Sequence, residues 1–324
     1  MKMIRFVVVA VYLALTGCAT NMATVGAFSK STQELAGQSV DMLTKYSGQC
    51  SKRIAIINHE KAVLDQAEVY WKNTRGINAS DSAQPVATIG KARKSLQPYQ
   101  DGLITNCPGQ AAKLTAARSI GDVLLNYGVA LQSLSADEFV AYNPKLDEIP
   151  SSLAKLPGTS GQPLLDENQI GAVRELTKLV YRVSILSYRQ KQLEQAMGPE
   201  QRKQLLNVIQ SLSYLTSSYL EGLEKEKIEL GLLSSDLDAL MLERVLPEPL
   251  SVTEVQRQLS VEVTDVEKRQ EAMKAYVVAL GKFVGGFDSA AESIHEPSDK
   301  EIAKEVIEFG KSVYRVQAAL DKAF

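Results

Sequence analysis

His59 and His295 are the only histidines in the 324-residue chain, and they limit the chemistry available to it. His59 precedes Glu60, but Val63 stands four places after His59, where a zinc-binding HExxH helix needs its second histidine. Glu292 and His295 form one ExxH unit. That spacing puts both side chains on one helix face, as in di-iron helical bundles, but such a site needs a second ExxH unit and further inward glutamates. No second unit occurs in the sequence. Also absent are a GxSxG nucleophile elbow, a glycine-rich phosphate loop, a dinucleotide fingerprint and a CxxCH haem attachment. The expectation is a chain with no catalytic residue, no cofactor and no metal site.

Charge patterning gives no substrate either. Glu221, Glu224, Glu226 and Glu229 interleave with Lys225 and Lys227, which reads as a solvated helix face with pairs such as Glu221 to Lys225. The formal net charge is −2, so nothing in the balance suggests nucleic acid.

The N-terminus is more specific. Lys2 and Arg5 precede an apolar run from Phe6 to Leu15, followed by Leu15-Thr16-Gly17-Cys18. A basic start, a short apolar region and small residues describe a secretory signal. The run is about ten residues, while a membrane span needs about 20. Leu-Thr-Gly-Cys resembles the lipobox of bacterial lipoproteins, over residues 1–19 only. The resemblance implies cleavage after residue 17, lipid on Cys18 and, with Ala19 rather than Asp next, the outer membrane facing the periplasm. It also implies three acyl chains, and more than one is needed for stable anchoring. Assigning Cys18 to lipid leaves Cys50 and Cys107 as an even pair. In an oxidising compartment that pair reads as a disulfide; the alternative is two reduced buried thiols. A bridge closing a loop of roughly 60 residues stabilises by about 4 kcal/mol in the chain-entropy model.

The elements that carry these residues read as helices throughout. Aromatics are 6% of the chain, and no run shows the β-branched alternation of a sheet. In the first half, helices are expected over Thr24–Tyr46, Ser51–Asn73, Val86–Ile104, Ala111–Leu134 and Ala136–Tyr142. Asn106-Cys107-Pro108-Gly109 reads as a turn and Ser135-x-x-Glu138 as a capping box. In the stripe Leu114, Ala117, Gly121, Leu124, Gly128, Leu131, small residues would admit a close neighbour. Pro157, Gly158, Ser160, Gly161 and Pro163 mark 157–165 as a linker. This divides the chain into a signal (1–17), a slightly basic helical region (18–156), the linker, and an acidic long-helix region (166–324).

Past the linker, apolar residues step by three and four over many turns. The clearest series runs Leu205, Ile209, Leu212, Thr216, Tyr219, Leu223, Glu226, Leu230, Leu233, Leu237, Leu240. Gly198-Pro199 opens that helix; Pro247 and Pro249 stop it. Ser251-x-x-Glu254 and Ser298-x-x-Glu301 read as capping boxes for two more. Such repeats imply left-handed coiled-coil packing. The fold expected is all-α, an elongated antiparallel helical bundle. Tyr127-Gly-Val-Ala-Leu and Tyr276-Val-Val-Ala-Leu share a frame inside two such stripes.

The function this implies is a lipid-anchored scaffold or binding protein of the bacterial envelope. It would touch the membrane through Cys18 and an envelope protein through a helical face, with self-association of the leucine-rich helices as a further option. Two alternatives remain. One is a pore-forming or membrane-remodelling protein using the apolar stretch Ala275 to Phe287, where Gly281 and Gly285 have small-xxx-small spacing. The other is a periplasmic small-ligand or lipid carrier.

Overall fold

The computed structural model describes residues 22–42, 49–73, 79–158, 162–185, 189–246, 249–295 and 300–323. Among these there is no strand, only an isolated bridge between Pro157 and Pro163. The helices are α1 (22–42), α2 (Gln49–Asn73), α3 (Ala79–Ala136), α4 (Ile149–Leu153), α5 (Glu167–Ile185), α6 (Arg189–Ala196), α7 (Pro199–Leu242), α8 (Pro249–Glu292) and α9 (Lys300–Ala323), with a 3₁₀ turn at Pro144–Glu148. The fold is an all-α helical bundle.

The chain runs up and down one long axis. At 1.5 Å per residue, α7 and α8 are each about 65 Å long and α3 is about 87 Å. One end, called here the near end, brings α1 to the end of α3: Ser29 Oγ donates to Gln132 Oε1 at 2.8 Å and Gln33 Nε2 donates to the Gly128 carbonyl at 3.2 Å. The start of α7 meets the end of α8 there through Arg202 and Asp288, at 2.6 Å. At the far end, Trp71 Nε1 donates to the Val245 carbonyl at 2.6 Å, and Ser95 Oγ to Asp236 at 3.4 Å. So α1 and then α2 climb, α3 descends the full length, α7 climbs, α8 descends and α9 climbs.

Sequence explains most of this packing. Every member of the α7 series from Leu205 to Leu240 is buried, including Thr216 and Glu226. Val306, Phe309, Val313, Val316 and Leu320 are buried along α9. Phe28 of α1 joins Phe283 and Phe287 of α8 and Phe309 of α9, with ring centroids 5.2, 6.0 and 5.6 Å away. Gly286 makes that cluster possible, since a Cβ there would meet Phe309 and Phe28 at 3.2 and 3.3 Å. Gly121 and Gly128 likewise let α1 approach α3. Tyr127 and Tyr276, which share the Tyr-x-Val-Ala-Leu frame, are both buried, and Tyr127 donates to the Ala196 carbonyl at 2.9 Å.

Several boundaries differ from expectation. α3 runs unbroken through Pro85, Pro98 and Pro108, so Asn106 to Gly109 is helix and not a turn. Each interior proline removes a rung of the hydrogen-bond ladder, at about 3 kcal/mol. Packing on α2 and α7 and the cross-link at Cys107 hold the helix across them. α3 ends at Ala136 with Asp137 in the left-handed region at φ 64° and the Glu138 amide donating to the Ser133 carbonyl. This is a C-terminal cap, so Ser135 and Glu138 open no helix. Between residues 166 and 197 the described helices are α5 and α6, and Gln192 Nε2 donates to the Val183 carbonyl. α7 stops before Pro247, with Arg244 at φ 55° and the Val245 amide on the Leu240 carbonyl. α8 starts at Pro249, two residues before Ser251, so Ser251 lies inside the helix and not at its cap position, and Glu254 pairs with Arg257. Ser298 lies outside the described residues.

The loop expected as a linker is folded back on itself. The Gly158 amide donates to the Gln162 carbonyl and the Leu164 amide to the Leu156 carbonyl. Leu164 and Leu165 are buried in a core that takes residues from both sides of the loop.

Candidate functional site

The middle of the bundle is where the chemistry-bearing residues meet. Cys50, at the start of α2, is joined to Cys107 of α3 by a disulfide across a sequence separation of 57, with the Cα atoms 6.0 Å apart. Cys107 lies inside a helix rather than at the expected turn, so the bridge ties one helix start to another helix's side.

Beside it is a buried ionic network. Arg269 of α8 is 1% exposed. Its Nη2 is 2.8 Å from Glu262 and 3.3 Å from Glu226 of α7, and its Nε donates to the Asp265 carbonyl at 3.1 Å. Arg53 of α2 extends the network to Glu226, at 3.7 Å, and to Glu229. Burial outweighs the Arg269 charge at Glu262 and holds its carboxyl above the ordinary value. Burial likewise pushes the Tyr219 phenol up. These side chains pair with one another across three helices.

A cavity of about 590 Å³ opens next to the network. Arg53, Tyr219, Glu226 and Glu229 form one wall, and Cys107 and Pro108 another. Lys113, Lys225 and Glu221 also line it, with Lys113 Nζ 2.5 Å from Ser218 Oγ. Both charge signs are present, so the space suits a small polar molecule better than a hydrocarbon chain.

Higher on α2, Glu60 is also 1% exposed. Its Oε2 has no hydrogen-bond partner among the described residues. Burial, reinforced by the Asp236 charge, pushes this carboxyl up to about 8. Neighbouring His59 is half-buried.

The ExxH pair sits at the near end. Glu292 is the last residue of α8 and His295 lies in the turn beyond, so the two do not share a helix face. They line a cavity of about 530 Å³ with Glu194, Arg202 and Asp288. No group of three or more His, Cys, Asp or Glu side chains is placed to hold a metal among the described residues. Cys18, the residue expected to carry lipid, lies outside the described residues.

The apolar stretch Ala275 to Phe287 is core. Tyr276, Ala279, Leu280, Phe283 and Phe287 are buried, and Val278 is exposed. Close helix approaches are at Gly285, where a Cβ would meet Glu305 at 3.2 Å, and at Gly286, while a Cβ on Gly281 would meet nothing within 4 Å. Among the described residues, no helix is long and apolar enough to cross a membrane.

The glutamate-rich face of α7 needs correcting at Glu226, while Glu221, Glu224 and Lys225 are exposed as expected. Its charges pair between helices: Lys227 with Glu267 at 2.8 Å, Gln270 with Glu224 at 2.6 Å, Arg53 with Glu229. Glu226 is core, and its place in the Leu223–Leu230 stripe was the available signal. Arg269 carried no such signal. No protein-family model, curated protein or solved structure matches the chain.

Proposed function

We propose that this chain is a lipid-anchored, periplasm-facing scaffold or binding protein of the bacterial cell envelope, held through Cys18 and acting through protein–protein contact. The observation that carries this reading is Leu15-Thr16-Gly17-Cys18 placed four residues before the bundle's near end. The Cys50–Cys107 bridge supports it, because disulfides persist in oxidising compartments. The long α7 and α8 support it as well. They put the far end about 65 Å from the tether, within reach of a partner away from the membrane. Leu242 is 85% exposed there, and Tyr70 and Val69 are half-exposed beside Trp71. Exposed apolar side chains grouped at one tip suit protein contact.

The test is site-specific photo-crosslinking in cells. A crosslinker replacing Leu242 is expected to trap one defined envelope protein, and one replacing Val278, on the bundle's side, is expected not to. Equal capture at both positions would contradict docking at the far end. Dimer-sized products from the Leu242 position would instead support self-association. The mid-bundle cavity favours one second reading, a small-ligand carrier. Native mass spectrometry that retains a bound small molecule in the parent and loses it in Gly109→Phe, where the added ring enters that cavity, would support it.

A further inference from the structure

Besides the far tip, the described residues leave an exposed aromatic group at the near end. Phe139 follows the α3 cap and is 83% exposed, although Val140 beside it is buried. Three residues on, Tyr142 stacks edge-on against Tyr181 of α5, with centroids 5.2 Å apart. Ile185, one turn further along α5, is 64% exposed. Phe139, Tyr181 and Ile185 carry a bulky exposed surface, while Tyr142 is half-buried against the core and anchors Tyr181 beside it.

Their position is fixed by the pairing of α1 with α3. Ser29 meets Gln132, Gln33 meets Gly128, and a Cβ on Gly26 would meet Ser135 at 3.2 Å. That antiparallel register puts Ala136, the last residue of α3, level with Val25 in the second turn of α1, and Phe139 follows three residues on. Cys18 is four residues from Met22, so the tether reaches at most about 14 Å when fully extended. A lipid on Cys18 therefore brings this end of the bundle against the bilayer surface, and no longer spacer lets it stand away.

We propose that the Phe139 loop and the Tyr142–Tyr181 pair dock onto the headgroup region of the anchoring bilayer and hold the bundle upright, with Trp71 far from the lipid. Aromatic side chains favour that interface, having an apolar ring to insert and a polar edge to leave wet. This rests on the lipidation reading of Cys18. Docking at the near end makes the lipid tether one of two contacts, so the far tip points into the periplasm at a set height.

Trp71 is the chain's single tryptophan, which makes the test direct. The chain from Cys18 onward holds every described residue. It is coupled through the Cys18 thiol to maleimide-lipid vesicles of phosphatidylethanolamine and phosphatidylglycerol, with Cys50 and Cys107 kept in their bridge. Phe139→Trp in a Trp71→Phe background is expected to lose roughly half its emission to lipids brominated near the headgroups, as an interfacial indole does. Trp71 in the unsubstituted chain is expected to keep its emission. No quenching of Phe139→Trp on coupled vesicles would overturn the proposal, and equal quenching of Trp71 would overturn the upright geometry. Should Trp71→Phe fail to fold, Phe139→Trp with Trp71 retained gives the same answer as a partial loss against none. The lipid is supplied chemically, so failure of lipidation in cells would appear in the mass of the membrane-extracted chain and not in this measurement.

Discussion

At the residue scale, the mid-bundle charges are held by pairing across helices, and stability must depend on keeping those pairs together. Arg269→Leu leaves Glu226 and Glu262 buried without their shared cation. Breaking such a pair on one side costs about 3–5 kcal/mol, and urea unfolding at pH 7 should show it. Glu60 behaves in the opposite way. Its carboxyl is held up to about 8 in the fold, against 4.5 unfolded. The folded state therefore binds this proton more tightly, and the group's contribution to stability falls as pH rises through that window. Glu60→Met removes the penalty. It is expected to match the parent near pH 4 and to be more stable by about 2–4 kcal/mol at pH 8 and above, read from paired denaturant curves. Glu226 was legible as an intruder in an apolar stripe. Glu60 and Arg269 were not, because burial on these helices depends on how many neighbours each one has, and periodicity marks a single face. α8 is covered by α1, α2, α7 and α9 in turn, so its buried face is wider than any one stripe.

At the element scale, the helices past the loop were legible because long apolar repeats leave little freedom in what they bury. The first half was read less well, for a physical reason. Pro98 and Pro108 are helix breakers locally, yet α3 passes through both because its neighbours and the Cys107 bridge stabilise it more than the lost rungs cost. The true helix ends use Asp137 and Arg244 in the left-handed region, where glycine is the usual occupant. Arg244→Gly should raise stability by about 1 kcal/mol, measured as a shift in the urea midpoint with an unchanged slope. The disulfide acts at this scale too. Paired Cys50→Ser and Cys107→Ser substitutions should cost about 2–4 kcal/mol. Hydrogen exchange should speed up most in α2 and the adjoining first half of α3, which the bridge ties together.

For the whole molecule, the bundle has distinct ends. α1 begins at the near end, where Phe139 is exposed, and the far tip carries Leu242, Val69 and Tyr70. Residues 1–19 carry the proposal of address and attachment; the long all-α build was readable from the repeats. The direction of the molecule relative to its tether was not, because it depends on α1 pairing with the last turns of α3, a contact between segments about a hundred residues apart. The account stands or falls on attachment at Cys18. Intact mass spectrometry of the chain extracted from cell membranes tests this most directly. A chain beginning at Cys18 with the added mass of three acyl chains is the expected result. An unmodified chain, or one still beginning at Met1, would contradict it.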